Sequence, residues 1–185
     1  AHDHDHDLAP ATDLGAVGIR ATKVSLLALG LTALVQAVLV LVTGSVALLS
    51  DTIHNFTDAL TAIPLWIAFA VGRKPVTRRF TYGYHRAEDL AGIIIIVAIG
   101  FSAFAVGWES LRRFADPRQL DHAGWVIAAG VIGALGNEFV ARYRMKVGRS
   151  INSAALVADG RHARADALTS VAVVAAGIGS IIGWE

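Results

Sequence analysis

Five long apolar stretches constrain the fold of this chain more than any other feature of its sequence. A helix that crosses the ~30 Å hydrocarbon core of a membrane needs about 20 predominantly apolar residues. Because lipid offers no hydrogen-bond partners, each stretch must satisfy its own backbone, as an α-helix does. The stretches predict an all-α integral membrane protein, a helical bundle with transmembrane helices at residues 21–42, 45–71, 90–108, 123–140 and 151–182.

The polar N-terminal segment and the charge balance complete the predicted organisation. We predict one transmembrane domain at residues 20–185. Residues 1–19, which begin AHDHDHD, are predicted to be a disordered His- and Asp-rich cytoplasmic tail that either binds metal weakly or is simply solvated. The net charge of +1 offers no broad positive surface, so no nucleic-acid partner is expected. The sequence contains no cysteine, which excludes disulfides and thiolate metal ligands.

Basic residues are distributed unevenly between the predicted connections, which predicts an orientation. The positive-inside rule places connections rich in Lys and Arg in the cytoplasm. One side, including the segment before the first helix, holds Arg20, Lys23, Arg73, Lys74, Arg78, Arg79, Arg86, Arg142, Arg144, Lys146 and Arg149. The opposite side holds only Arg112, Arg113 and Arg118. We therefore predict a cytoplasmic N-terminus and a multi-pass protein of a bacterial inner (plasma) membrane.

One motif occurs twice, in the second and in the fifth apolar stretch. The octapeptides DTIHNFTD and DGRHARAD both follow the pattern D-x-x-H-x-x-x-D. Ionisable groups inside a membrane helix are costly and are functional candidates by default. His54 and Asp58 share one helix face at spacing i, i+4, as do His162 and Asp166. Two imidazoles and two carboxylates form a tetrahedral set suited to Zn²⁺, so these four residues are the predicted metal ligands.

The first acid of each motif, Asp51 or Asp159, lies too far along its helix to join the same ligand set. At 1.5 Å per residue, each is about 10 Å from the last acid of its own motif. We interpret both as capping residues at helix ends. A role behind the metal ligands or along an ion path is the alternative.

Three stretches together resemble the cation diffusion facilitator family, the membrane exporters of zinc and related divalent metals. GSVALLSDTIHNFTDAL is similar to the family's second membrane helix, FTYGYHRAEDLAG to the segment leading into its third, and ALVADGRHARADALTS to its fifth. The resemblance implies that His54, Asp58, His162 and Asp166 are transport ligands. It also implies Zn²⁺ as transported substrate, exchange of metal for protons by alternating access, a homodimer in the lipid bilayer, and no enzymatic activity.

Members of that family usually have six membrane helices followed by a cytoplasmic metal-binding domain. The chain matches five of these helices, so we expect it to lack the sixth helix and the C-terminal domain. Some relatives bind a further metal in the connection between the second and third helices. Here that connection has one histidine, His85, and no acid before Glu88, so no metal is predicted there.

Other functions remain open from the motif alone. The acids and histidines could form a proton relay or a metal sensor that transports no metal, and a relay predicts proton flux that is indifferent to zinc. An intramembrane zinc hydrolase would need an open coordination position and a base, as in H-E-x-x-H, a motif that the sequence lacks. Metal transport is favoured because two matching motifs occur on two separate membrane helices.

Overall fold

The computed structural model describes residues 11–44, 46–74, 84, 86–115 and 123–183. It contains the helices α1 (Ala11–Thr43), α2 (Val46–Gly72), α3 (Arg86–Ala115), α4 (Ala123–Ser150) and α5 (Ala154–Ile181). All five are long and apolar enough to cross a membrane, and the described residues contain no strand. The predicted all-α transmembrane bundle is confirmed.

Two short connections make sequential helices antiparallel neighbours. After α1, Gly44 has a φ of +65°, a left-handed conformation that glycine adopts without the steric cost of a Cβ. After α4, Asn152 has a φ of +54°, and the hydroxyl of Ser153 caps α5 by accepting a hydrogen bond from the Leu156 N–H at 3.1 Å. The chain therefore reverses tightly at both points, and α1 packs along α2 as α4 packs along α5.

Several helix ends differ from the prediction. α1 begins at Ala11 rather than residue 21, so residues 11–19 of the predicted disordered tail are helical, whereas residues 1–10 lie outside the described residues. α3 extends beyond the predicted 90–108 at both ends, and α4 continues to Ser150 instead of ending at residue 140. Hydropathy marks only the hydrocarbon crossing, and α3 and α4 continue past it where long basic side chains extend along their surfaces.

Basic residues that the sequence placed in connections consequently lie within helices. These residues are Arg20 and Lys23 in α1, Arg86 in α3, and Arg142, Arg144, Lys146 and Arg149 in α4. Among them Arg144 is almost fully buried, with 1% of its surface exposed. The prediction that Arg144 belongs to a solvated connection is wrong, because a buried partner on α5 holds it inside the bundle.

The helices pack so that α2 is the most enclosed and α3 the least. α1 lies between α2 and α4, while α3 contacts α2 and α5. The α4–α5 interface is close: a Cβ on Gly160 would lie 2.9 Å from Met145 Cγ and 3.1 Å from the Ala141 carbonyl oxygen. Small residues allow membrane helices to approach in this way. The close approach brings polar groups of α4 within reach of the motif on α5.

Apolar and polar side chains are distributed as expected for a bundle in lipid. Large apolar side chains are exposed around its outside, among them Leu31, Leu41, Val97, Phe101, Leu135 and Leu168. A water-soluble monomer rarely exposes so much contiguous apolar surface. Buried polar side chains instead occupy the interior, among them Gln36, Asn55, Asp58, Asn137, Arg144, Asp159 and Asp166. The functional groups of this protein therefore lie between its helices.

Candidate metal centre

The two repeated motifs face each other on antiparallel helices. His54 of α2 lies opposite Asp166 of α5, and Asp58 lies opposite His162. The histidine of each motif therefore faces the last aspartate of the other motif. The i, i+4 spacing places imidazole and carboxylate one turn apart on each helix. Because the helices are antiparallel, the imidazole of one pair lies opposite the carboxylate of the other.

Each imidazole contacts both carboxylates. His54 Nε2 is 3.2 Å from Asp58 Oδ2 and 3.6 Å from Asp166 Oδ1. His162 Nε2 is 3.4 Å from Asp58 Oδ1 and 3.5 Å from Asp166 Oδ2. The four side chains that the sequence predicted as ligands are thus brought together in one cluster.

The spacing of these atoms suits a small tetrahedral cation. Four ligand atoms bound at ~2.0–2.1 Å to a zinc ion at the centre of a tetrahedron are about 3.3–3.4 Å apart. The imidazole-to-carboxylate distances of 3.2–3.6 Å bracket this value. One ligand atom each from His54, Asp58 and Asp166 lies within 4.8 Å of the others, and His162 contacts the other oxygen of each of the two acids.

The acids of the cluster are buried without a full set of partners. The side chains of Asp58 and Asp166 are 7% and 9% exposed, and the Oδ2 atom of each accepts no hydrogen bond from the described residues. Each of these oxygens contacts one imidazole nitrogen, at 3.2 Å for Asp58 and 3.5 Å for Asp166, but a buried carboxylate oxygen without a hydrogen bond is costly. A divalent cation would both supply the missing partner and balance the two negative charges.

The two histidines of the cluster also differ in solvent exposure. The His54 side chain is 27% exposed, whereas that of His162 is 9% exposed. A separate surface cavity of about 540 Å³ near the ends of α4 and α5 is lined by Arg142, Met145, Lys146, Arg149, Ser150 and Arg164. That cavity contains none of the four clustered residues, and its basic lining does not suit a metal cation.

Comparison with known proteins identifies the family. Residues 22–185 match the family described as the cation efflux transmembrane domain. The chain belongs to the cation efflux family. Proteins of this family are transporters and not enzymes, and they are integral to the membrane. The predicted resemblance and the absence of an enzymatic function are thereby confirmed.

Curated cation efflux relatives match over most of this chain. It is 55% identical over 185 residues to the "Probable cation efflux system protein" of Mycobacterium tuberculosis, covering 98% of this chain and 56% of that protein. It is 30% identical over 152 residues to the "Cadmium, cobalt and zinc/H(+)-K(+) antiporter" of Bacillus subtilis, covering 82% and 49%. It is 28% identical over 153 residues to the "Magnetosome protein MamB" of Paramagnetospirillum magneticum, covering 82% and 51%. The chain spans about half the length of these relatives.

Asp51 does not cap a helix in this cation efflux protein. α2 begins at Val46, and Asp51 accepts a hydrogen bond from Gln36 Nε2 at 2.8 Å. The Gln36 amide oxygen accepts one from Asn55 Nδ2 at 2.7 Å, and Asn55 in turn accepts one from Asn137 Nδ2 at 3.3 Å. The capping interpretation is wrong for Asp51, because interhelical amides from α1, α2 and α4 provide its surroundings.

Asp159 does not cap a helix either, since Ser153 caps α5. Its Oδ2 lies 2.6 Å from Arg144 Nη1, and the two side chains are 0% and 1% exposed. The Thr61 hydroxyl of α2 donates to the Asp58 carbonyl oxygen at 2.6 Å and lies 3.5 Å from Asp159 Oδ1. Sequence reasoning missed Arg144 because hydropathy ended α4 too early. If α4 had been extended to residue 150, a helical projection could have indicated that Arg144 lies within the helix.

Proposed function

We propose that this chain forms the transmembrane part of a transporter for divalent metal cations, with Zn²⁺ as the main substrate. His54, Asp58, His162 and Asp166 bind the cation in the middle of the bundle. One observation carries the proposal: each imidazole lies 3.2–3.6 Å from both carboxylates, at the spacing of a tetrahedral zinc site. The buried carboxylate oxygens that accept no hydrogen bond from the described residues support it further.

The ligand types favour zinc and couple its binding to protons. Imidazole nitrogens suit transition metals such as Zn²⁺, whereas all-oxygen sites suit Mg²⁺ and Ca²⁺. Imidazole must be neutral and carboxylate ionised to bind metal, so cation binding displaces protons from the site. Exchange of metal for protons by alternating access follows if the empty site reloads protons from the other side. The name of the Bacillus subtilis relative, which includes zinc and H⁺, agrees with this proposal.

The membrane and the assembly follow from the charge distribution and the family resemblance. Basic residues concentrate at the ends of the helices that bound the α2–α3 and α4–α5 connections, so we place these ends and the N-terminus in the cytoplasm of a bacterial inner membrane. Transport then runs from the cytoplasm outwards. The working transporter is a homodimer, as the family resemblance implies.

The test is zinc-driven proton movement in proteoliposomes that contain the chain. We expect zinc to drive counter-flow of protons in the wild type and not in Asp166→Ala, which removes one ligand and one charge. Glu138→Gln is the matched control, because Glu138 is an acid of the bundle that pairs with Arg142 and Arg164 at the surface. Equal zinc transport by Asp166→Ala and the control would overturn the site. Proton flux that is indifferent to zinc would instead support a proton relay.

A further inference from the structure

The ion pair between Arg144 and Asp159 lies directly beside the candidate metal centre. Asp159 and His162 are at spacing i, i+3, so they share a face of α5 and are about one helical turn apart. Together with Thr61 of α2, the pair links α2, α4 and α5 at one level of the bundle. A fixed guanidinium charge therefore sits close to a site that we assign to a cation.

The Arg144–Asp159 ion pair lies at only one of the two ends of the metal centre along the helix axes. Contacts between α2 and α5 run in antiparallel order, with His54 at Asp166, Asp58 at His162, and Thr61 at Asp159. The Arg144 layer thus lies beyond His162, and Asp51 lies at the opposite end, beyond His54. Each motif contributes one of these flanking acids, because the antiparallel arrangement sends Asp51 and Asp159 in opposite directions.

The two ends differ in charge. Asp51 is hydrogen-bonded by the neutral amide of Gln36, which itself pairs with Asn55. Asp159 instead faces a full positive charge on Arg144 at 2.6 Å. The exposure of the two histidines follows the same order, with 27% for His54 at the Asp51 end and 9% for His162 at the Asp159 end. A cation at the centre therefore meets a carboxylate without a cationic partner at the Asp51 end and a carboxylate neutralised by a guanidinium at the Asp159 end.

Stability alone does not explain the buried arginine. Replacing a buried ion pair with apolar side chains is often neutral or stabilising. Arg144 is also incompletely satisfied: its Nε and Nη2 atoms are buried and have no hydrogen-bond partner among the described residues. Its guanidinium cannot shed its charge, unlike a buried lysine. A positive charge is therefore held permanently inside the bundle.

We propose that Arg144 is a positioning residue that closes the Asp159 end of the cation site. It keeps Asp159 from acting as a competing ligand beside His162, and it cancels the negative charge that would otherwise attract a divalent cation to that end. Cations consequently exchange through the Asp51 end in this conformation, and passage at the Asp159 end requires the Arg144 layer to rearrange. This inference rests on the proposed function, since it needs a cation at the four clustered residues.

The test compares zinc affinities of three variants in detergent, with stability measured in parallel. Asp159→Asn leaves an unbalanced guanidinium beside the site, so we expect zinc affinity to fall about tenfold or more. Arg144→Gln removes that charge, so we expect unchanged or tighter binding, together with faster passive zinc leak from loaded proteoliposomes. Arg144→Lys places an ammonium beside the Asp159 carboxylate, which favours the charged form of the lysine, so this variant should bind and retain zinc as the wild type does.

The different changes in zinc affinity expected for Asp159→Asn and Arg144→Gln distinguish this proposal from a purely structural role of the ion pair. If the pair only held α4 and α5 together, both charge-removing variants would weaken zinc binding in parallel with their loss of stability. Wild-type affinity in Asp159→Asn would overturn the proposal whether or not Arg144→Gln folds, as would a leak in Arg144→Lys equal to that of Arg144→Gln. Failure of the proposed function is recognised separately, because the wild type itself would then bind no zinc.

Discussion

At the scale of single residues, the centre combines two ligand chemistries that separate its possible substrates. His54 and His162 supply nitrogen, and Asp58 and Asp166 supply oxygen and the charge that balances a divalent cation. Without the histidines and a cation, the two carboxylates would repel each other. Which cation is preferred should therefore depend on the histidines, whereas binding of any divalent cation should depend on the acids.

Substitution of His54 with Asp tests this division. We expect His54→Asp to broaden selectivity, with the ratio of cadmium to zinc transport rising roughly several-fold, because a carboxylate can bind through one or two oxygens and so accommodates the larger Cd²⁺ ion better than an imidazole does. Metal competition in proteoliposomes measures the ratio. An unchanged metal profile would show that His54 does not set selectivity.

The four candidate ligands could be singled out from sequence because each His–Asp pair lies on one helix at a fixed spacing. Asp51 and Asp159 could not be placed in this way, since their partners come from other helices. Gln36 reaches Asp51 from α1, and Arg144 reaches Asp159 from α4. Contacts between helices depend on helix register and crossing, which local spacing does not contain.

At the scale of elements, the centre depends on how closely α4 and α5 approach. Gly160 lies one residue from Asp159 and faces the backbone of Met145 and Ala141. A side chain there would push α4 away and stretch the Arg144–Asp159 contact. The helix pair is therefore a structural support for the α5 half of the metal centre.

Gly160→Ala is expected to lower the stability of the bundle, whereas Gly100→Ala is not. A Cβ at Gly160 would lie 3.0 Å from Met145 N, but a Cβ at Gly100 has nothing within 4 Å. Overpacking of this kind costs about 1–3 kcal/mol. Thermal unfolding in detergent, followed by circular dichroism, measures the difference between the two variants. Equal transition temperatures would contradict the close approach of α4 and α5.

The helices themselves were predictable, but not all of their ends. Hydropathy located all five crossings, because apolar length in lipid leaves few alternatives to a helix. The start of α1 and the end of α4 were misplaced, since both lie among charged residues. That error hid Arg144, which a hydropathy profile treats as a surface charge.

At the scale of the whole molecule, the bundle places ionisable groups on the inside and apolar side chains on the outside. The Asp51 amide network, the buried centre and the Arg144 layer follow one another along the interior of the bundle. Cation efflux through such an interior needs the charge of the cation to be replaced after release. Protons are the simplest replacement, because the ligands themselves can take them up.

Zinc binding is accordingly expected to depend on pH. Protons compete with the metal for both imidazoles and carboxylates, so affinity should fall as pH is lowered, by about tenfold per pH unit for each proton displaced. Titration of zinc into weakly buffered protein should release protons, which a pH indicator detects. Binding without proton release, at an affinity independent of pH, would contradict coupling at this site.

The central claim is that one cation binds between His54, Asp58, His162 and Asp166. Zinc X-ray absorption on the purified chain tests this claim most directly, because it reports the types of ligand atom and their distances. We predict one zinc per chain that requires Asp166, bound by two nitrogen and two oxygen atoms at ~2.0–2.1 Å. A spectrum with only oxygen ligands, or an identical bound spectrum from Asp166→Ala, would contradict the account.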